Sequence, residues 1–354
     1  MLARVVTHDR GSDVPRQVVV SLMNDGVHVN TLRNAGIDVH CVGMRRGFPS
    51  PVAFFRLVSL LRQERPDVLM TWLYHADLLG TLAAPLAGVK RLIWNIRCSD
   101  VDFDSYPMST RWTVAMLARL SGRPWAIGAN SEAGRRSHEG LGYAPARWIY
   151  LPNGFDLKEW RPDAVDRAAV REELGLGPED VGIVMVARVD PMKDHTNLLA
   201  AAAYLVERRP QVRFVLIGRG TDALALPPAF AGSVVALGER TDIPRLLRGF
   251  DIAVLSSSFG EGFPNAIGEA MSTGLPCVVT DVGDTAALVQ DTGIVVPPRD
   301  PVAFAIGIDA LIAEGPEATK RRGVMARERI AMHWSIERAM NAYREVWQEA
   351  LGGQ

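Results

Sequence analysis

Short apolar runs alternate with longer amphipathic stretches along almost the whole chain of 354 residues. QVVVSL (17–22), IDVHCVG (37–43), DVLMT (67–71), RLIWNI (91–96) and WAIGAN (125–130) read as buried strands. Helical stretches separate them, such as SPVAFFRLVSLLRQERP, which Pro66 closes. The pattern continues with a strand at VGIVMVAR (181–188), a helix at HTNLLAAAAYLVERR (195–209) and a strand at VRFVLIG (212–218). DIAVLSSS and PCVVTD follow as strands, with a helix running from Asn265 to Thr273 between them and Gly274 stopping it. Strands that are apolar throughout have both faces covered, which predicts parallel sheets between helical layers.

YLPNGFDLKEWRPD (150–163) interrupts this alternation with Pro, Gly and Asp, and reads as an interdomain linker. The expected fold class is α/β: two Rossmann-like doubly wound domains facing each other across a cleft. Residues 1–155 would form the first, 156–333 the second, and 334–354 a terminal helix. The start departs from that scheme. ARVVTHDRGSDVPRQVVVSL runs from a weak strand to a strong one, with no glycine-rich turn and no room for a helix.

Composition alters little: 48% of residues are hydrophobic, 22% are charged, and the net charge of −1 gives no field that would attract nucleic acid. The halves differ, with 20 Lys+Arg against 15 Asp+Glu in residues 1–163 and 19 against 25 in the rest. Either the first half leans on an anionic surface or the charge is scattered and solvated. Cys41, Cys98 and Cys277 have no CxxC spacing and read as thiols in a reducing compartment. No signal-like stretch or spanning run is present, so a cytoplasmic chain is expected, at most peripheral on the inner face of the cell membrane.

The chemistry concentrates in SSSFGEGFPNAIGEAMSTGLPCVVTDVGD (256–284), where Glu261 and Glu269 flank a turn and a helix start. In an open parallel sheet, ligands bind beyond the carboxyl ends of the strands. Gly260 and Gly262 allow close backbone approach, and Pro264 and Asn265 open a helix whose free N–H groups favour an anion. A diphosphate there leaves Glu261 near the attached group and Glu269 able to accept hydrogen bonds from a diol. ARVDPMKDH (187–195) brings Arg188 and Lys193 to the end of another strand. IGRG (217–220) and LGERTDIPRLL (237–247) bring Gly218, Arg219 and Arg240 to the next two, so four strand ends point to one nucleotide.

EGFPNAIGE, ARVDPMKD, PNGFD and EAMSTGLPCVVTDVGD together resemble glycosyltransferase family 4, from about Gln17 onward. The resemblance implies a retaining, metal-independent GT-B enzyme that uses a nucleotide sugar, UDP- or GDP-linked, and no further cofactor. It implies that Arg188 and Lys193 bind the diphosphate, Glu269 the ribose, and that Glu261 lies against the donor sugar. The backbone of Phe263, Pro264, Asn265 and Ala266 would line the donor site. TWLYHADLLG (71–80) is similar to the segment whose histidine, here His75, faces the donor sugar across the cleft, and WSIERAMNAYREVWQ (334–348) suits the helix that crosses back to the first domain. The acceptor would be a saccharide or a lipid-linked sugar, as in polysaccharide or glycolipid biosynthesis. The family's first strand and Gly-Gly loop have no counterpart here.

Other readings stand beside these. His75 at a helix start serves equally as a cap or interior group, and Arg97 either lines the acceptor side or is simply exposed. Asp100, Asp102 and Asp104 have the spacing of a metal-diphosphate site but also of a solvated loop. The alternative to an active enzyme is a non-catalytic nucleotide-sugar-binding or partner subunit.

Overall fold

A computed structural model describes residues 1–8, 15–24, 28–44, 50–99 and 108–352. The chain divides into two compact units, Met1–Gly154 with Ile336–Gln354, and Phe155–Ser335.

The first unit runs α1 (Leu2–His8), β1 (Val18–Ser21), α2 (Val29–Asn34), β2 (Asp38–Cys41), α3 (Pro51–Glu64), β3 (Val68–Trp72), α4 (Tyr74–Ala87), β4 (Arg91–Ile96), α5 (Met108–Leu120), β5 (Ala126–Ala129), α6 (Glu132–Gly140) and β6 (Trp148–Tyr150). Among the described residues every pairing is parallel, in two sheets: β1 with β2, and β3-β4-β5-β6 in that order. Local chemistry sets the helix limits. Ser50 Oγ accepts from the Ala53 amide and Pro51 occupies the first turn of α3, whose end is a left-handed Arg65 just before Pro66. β4 is buried from Leu92 to Ile96, and Trp94 within it is fully covered. Its indole N–H donates to Thr81 Oγ1 at 3.0 Å, and Thr81 in turn donates to the Asp77 carbonyl at 2.6 Å, so the ring's polar atom is satisfied inside the core.

The opening stretch, expected as a weak strand, is the helix α1. Leu2, Val5 and Val6 fall on one helical face, and Val5 and Val6 are buried, so tertiary packing overrides the β-branched composition. The Pro/Gly-rich segment read as a linker contains the break between units at Gly154, yet it is no exposed tether. Leu151, Asn153, Phe155 and Trp160 in it are all buried.

The second unit continues with α7 (Ala164–Glu173), β7 (Val181–Val186), α8 (His195–Val206), β8 (Val212–Ile217), β9 (Val234–Ala236), α9 (Ile243–Leu247), β10 (Ile252–Leu255), α10 (Asn265–Ser272), β11 (Cys277–Thr280), α11 (Thr285–Val289), β12 (Ile294–Val296), α12 (Pro301–Ala313) and α13 (Pro316–Trp334). Its single parallel sheet has the order β12-β11-β10-β7-β8-β9. The direction of winding reverses between β7 and β10. A doubly wound sheet opens its ligand crevice at that position, beyond the carboxyl ends of the two strands.

The last helix, α14 (Ile336–Gly352), belongs to the first unit. Ile336, Met340, Tyr343 and Val346 recur at helical spacing and pack with Ile93 and Leu151. Arg97 stitches the helix down: it donates to the Leu151 carbonyl at 3.0 Å, to Asn153 Oδ1 at 2.8 Å and to the Tyr343 hydroxyl, with its guanidinium 4.7 Å above the Trp72 ring. Its role is therefore internal packing within this unit.

Asp77 is 1% exposed and accepts a 2.6 Å hydrogen bond from Thr71 Oγ1. Burial pushes its pKa up to about 8, against the opposing effect of Thr71. Between the unfolded value near 3.8 and that folded value, the native state keeps a proton that the unfolded chain has lost. Stability should therefore fall as pH rises through this window, by at most about 1.4 kcal/mol per pH unit, and level off above it. Asp77→Asn, neutral at every pH, should flatten that part of the profile; urea denaturation of both proteins from about pH 5 to about pH 8 measures the difference.

Candidate functional site

At the end of β7 the chain turns through Ala187 and Arg188 into a single 3₁₀ turn, Pro191–Lys193. Asp190 Oδ1 caps that turn by accepting from the Met192 amide at 3.0 Å. Asp194, in the left-handed region at φ 45°, then caps α8 by accepting from the Asn197 amide at 3.1 Å. Two caps in five residues fix the direction in which Lys193 leaves the backbone. The end of β10 locks onto the same turn: Ser256 Oγ donates to the carbonyls of Lys193 and Asp194 at 2.9 and 3.0 Å, and the Ser258 amide donates to the Met192 carbonyl at 2.8 Å.

This brings Lys193 and Glu261 together across the switch point. The lysine ammonium donates to Glu261 Oε1, and the Ser257 hydroxyl donates to the same oxygen at 2.5 Å. Glu261 is only 5% exposed. A carboxylate this deep is sustained by its cation and hydrogen bond, and removing Lys193 leaves a buried charge without its counter-ion. Lys193 has three donors, so pairing with Glu261 leaves it able to hold an anion as well.

A cavity of about 430 Å³ lies beside the pair. Arg188 and Lys193 line it from β7, Gly218 and Arg219 from β8, and Glu239 and Arg240 from β9. Gly218, at φ +145°, lies so close to β7 that a Cβ there would stand 2.2 Å from the Ala187 carbonyl oxygen. Arg188 is half-exposed and bridged to Asp190 at 3.0 Å, whereas Arg240 is held by Asp242 at 2.8 Å and by Glu173 at 3.2 Å. Those carboxylates, Asp242 foremost, raise the Arg240 pKa above the ordinary arginine range. The lining is thus strongly cationic, with each of these two arginines held by neighbouring acids.

The remaining predicted residues lie outside its lining. Pro264 precedes α10 without a side-chain cap, Asn265 and Ala266 form its first turn, and Glu269 is half-buried one turn further on. The Phe263 side chain is core: its ring lies 6.2 Å from Phe155 and 5.4 Å from Trp334. Gly262 is buried, and its carbonyl accepts from the Asp284 amide at 3.1 Å. His75 belongs to the first unit, exposed in the first turn of α4. The preceding Leu73 has φ 73°, an unfavourable value for leucine that places a strained corner between β3 and α4. Asp100, Asp102 and Asp104 lie outside the described residues. Among the described residues no group of three His, Cys, Asp or Glu side chains could hold a metal ion, and no helix is long and apolar enough to cross a membrane.

Sequence reasoning overlooked Ser257 and Gly283. Ser257 is one of three consecutive serines, and nothing local says which of them turns toward Glu261. Gly283 carries no side chain to mark it in the sequence, yet at φ +64° it lets β11's exit pass under the Glu261 loop; a Cβ there would stand 1.7 Å from the Glu261 carbonyl oxygen.

Two family models cover both units: Glycosyltransferase Family 4 matches residues 4–159, and Glycosyl transferases group 1 matches residues 180–314. The chain belongs to the family 4 glycosyltransferases. Among curated relatives of this family 4 chain, the UDP-Gal:alpha-D-GlcNAc-diphosphoundecaprenol alpha-1,3-galactosyltransferase of Escherichia coli is 30% identical over 66% of the chain and 63% of its own length. The D-inositol 3-phosphate glycosyltransferase of Mycobacterium sp. (strain KMS) is 32% identical over 51% of the chain and 43% of its own length. The alignments therefore span less than two thirds of either relative. A crystal structure of Anabaena HepE in complex with UDP-glucose superposes with a TM-score of 0.83 at 20% identity, covering 98% of this chain and 94% of that one. Sucrose-phosphate synthase from Thermosynechococcus elongatus gives 0.76 at 16% identity, over 95% and 96% of the two chains. The fold is GT-B, with two Rossmann-like domains.

Gly283→Ala should lower stability by roughly 1–3 kcal/mol, the usual range for a non-glycine residue held in the left-handed region, and more if the Glu261 loop cannot shift. Equilibrium urea unfolding measures it, and an unchanged midpoint would show that the loop does not depend on this close approach.

Proposed function

We propose that the chain is a retaining, metal-independent glycosyltransferase that moves a hexose from a UDP-sugar to a saccharide or lipid-linked acceptor. The observation that carries this reading is the cationic cavity beyond the carboxyl ends of β7, β8 and β9, with Lys193 of the Lys193–Glu261 pair in its wall. The nucleoside would occupy the β8 and β9 side, against Gly218 and Arg219, and the diphosphate would lie against Arg188, Lys193 and the amino end of α10. Glu269 would then accept from the ribose hydroxyls, and Glu261 would lie beside the sugar. As the sugar–phosphate bond breaks, negative charge grows on the diphosphate, and donors already aimed at it lower the barrier. The acceptor attacks from the face the diphosphate leaves, giving its proton to a diphosphate oxygen, so configuration is retained. The choice of UDP and of a lipid-linked acceptor draws on the HepE complexes and on the undecaprenol-linked substrate in the name of the Escherichia coli relative.

A thermal-shift series with UDP, GDP and their sugars tests the binding half, since a ligand stabilises the native state in proportion to its affinity. UDP should give the largest shift; no shift with any nucleotide would overturn the reading. Lys193→Ala needs a control, because it also strands a buried carboxylate. Lys193→Met with Glu261→Gln removes both charges together and should recover most of the lost stability. In that double variant turnover should still fall by about 10²–10³-fold, as for loss of one transition-state donor. Full turnover would limit the pair to a structural role, and donor binding by wild type without turnover would favour the non-catalytic subunit.

The basic excess of residues 1–163 is proposed to favour the anionic cytoplasmic membrane face, where a lipid-linked acceptor would reside. Co-sedimentation with phosphatidylglycerol vesicles should then weaken steadily with added salt, whereas salt-insensitive or absent binding would remove the electrostatic contact.

A further inference from the structure

Leu73 joins β3 to α4 at φ 73° and ψ 154°, a strained conformation for a residue with a Cβ, and its side chain is exposed and caps nothing. Such a corner persists only where its surroundings hold it. Two side chains in the turn that follows do so. Asp77 is tied back to β3 by the 2.6 Å hydrogen bond from Thr71 Oγ1. Tyr74 is tied to α6 and to the exit of β4, with its hydroxyl 2.8 Å from His138 Nε2 and 3.2 Å from Cys98 Sγ.

The direction of these bonds is fixed. His138 Nδ1 lies 2.7 Å from the Gly134 carbonyl, which can only accept, so Nδ1 carries the proton and Nε2 is an acceptor. The Tyr74 O–H therefore donates to His138, and the Cys98 thiol donates to the Tyr74 oxygen. His138 is fully buried, and burial pushes its pKa down to about 4 against the effect of the Gly134 carbonyl, so the ring stays neutral and keeps its acceptor. Its place is constrained as well. The Tyr143 ring meets it edge-on at 5.0 Å, and Gly134, one turn earlier, lies so close to the exit of β4 that a Cβ there would stand 3.0 Å from the Cys98 carbonyl oxygen.

Stability alone does not call for this chain of polar groups, because apolar side chains of the same shape can replace a buried hydrogen-bonded pair at little cost. What the chain adds is direction. Tyr74 and Asp77 are anchored to different elements, and His75 is the exposed side chain between them at the carboxyl end of β3. We propose, resting on the glycosyltransferase reading in which His75 faces the donor sugar, that Tyr74 and His138 are a positioning pair: they hold the Leu73 corner and so fix where His75 stands. The pair touches no substrate and acts through His75.

Tyr74→Phe removes the hydroxyl and leaves the ring. The Asp77 amide donates to the Leu73 carbonyl at 3.0 Å and reports the corner directly. Its hydrogen exchange should quicken in Tyr74→Phe by roughly tenfold more than that of Leu92–Ile96 in β4, which reports any global loss of stability. Turnover of UDP-glucose and UDP-galactose is then compared in wild type, Tyr74→Phe, His75→Ala and the double variant. Tyr74→Phe should lower kcat by about tenfold at a nearly unchanged KM for the donor, and should cost little more in the His75→Ala background, where nothing is left to position. Additive losses would overturn the proposal, as would equal quickening at Asp77 and in β4, or full activity of His75→Ala. Selective quickening at Asp77 in a chain that turns over neither sugar would support the clamp and overturn the glycosyltransferase reading instead, so the two failures are told apart.

Discussion

The contact between Lys193 and Glu261 concentrates the physical demands of the second unit. Two opposite charges lie almost out of water, on loops leaving two different strands, and such a pair is tolerable only when geometry is held from several directions. The caps at Asp190 and Asp194, the Ser256 and Ser258 hydrogen bonds, the Ser257 hydroxyl and the glycine at 283 all serve that geometry. The sheet supplies the remainder: strand order reverses between β7 and β10, so their exits diverge and leave a hollow that neighbouring loops can line.

That hollow explains why cations gather where a protein core would exclude them. Arg188, Arg219 and Arg240 lie at strand ends, where helices no longer cover the sheet, and Arg188 and Arg240 are held by nearby carboxylates. Such pairs keep the side chains ordered without discharging them, which suits a polyanionic ligand that must be gripped and released. The first unit uses its buried polar groups differently. Arg97 binds the last helix to the sheet through Leu151, Asn153 and Tyr343, and Thr71, Asp77, Thr81 and Trp94 form a closed internal chain.

Much of the architecture was legible from periodicity. Strands such as VGIVMVAR and RLIWNI are buried on both faces, so their apolar runs carry a signal that needs no context. Where context decides, composition alone misleads. The residues ARVVTH have β-branched side chains suited to a strand, but Leu2, Val5 and Val6 meet their partners on a helical face. The segment 150–163 has a linker's composition and a core's burial, because its turns are needed where the chain passes between units and its apolar residues fill both.

The sequence alone determined the residue types of the candidate site and their order: paired acids around a Pro-Asn helix start, two cations after one strand, glycines after the next. Motif spacing preserves those because each belongs to a single loop. Only the tertiary structure decided that Lys193 and Glu261 neutralise each other, that Ser257 rather than its neighbours completes the pair, and that Gly283 makes room for the loop. The first of those contacts joins residues 68 positions apart, on loops after β7 and β10, which are neighbours in the sheet but not in the chain. Whether a side chain meets another across such a distance is fixed by how the strands are shuffled, which no local pattern encodes.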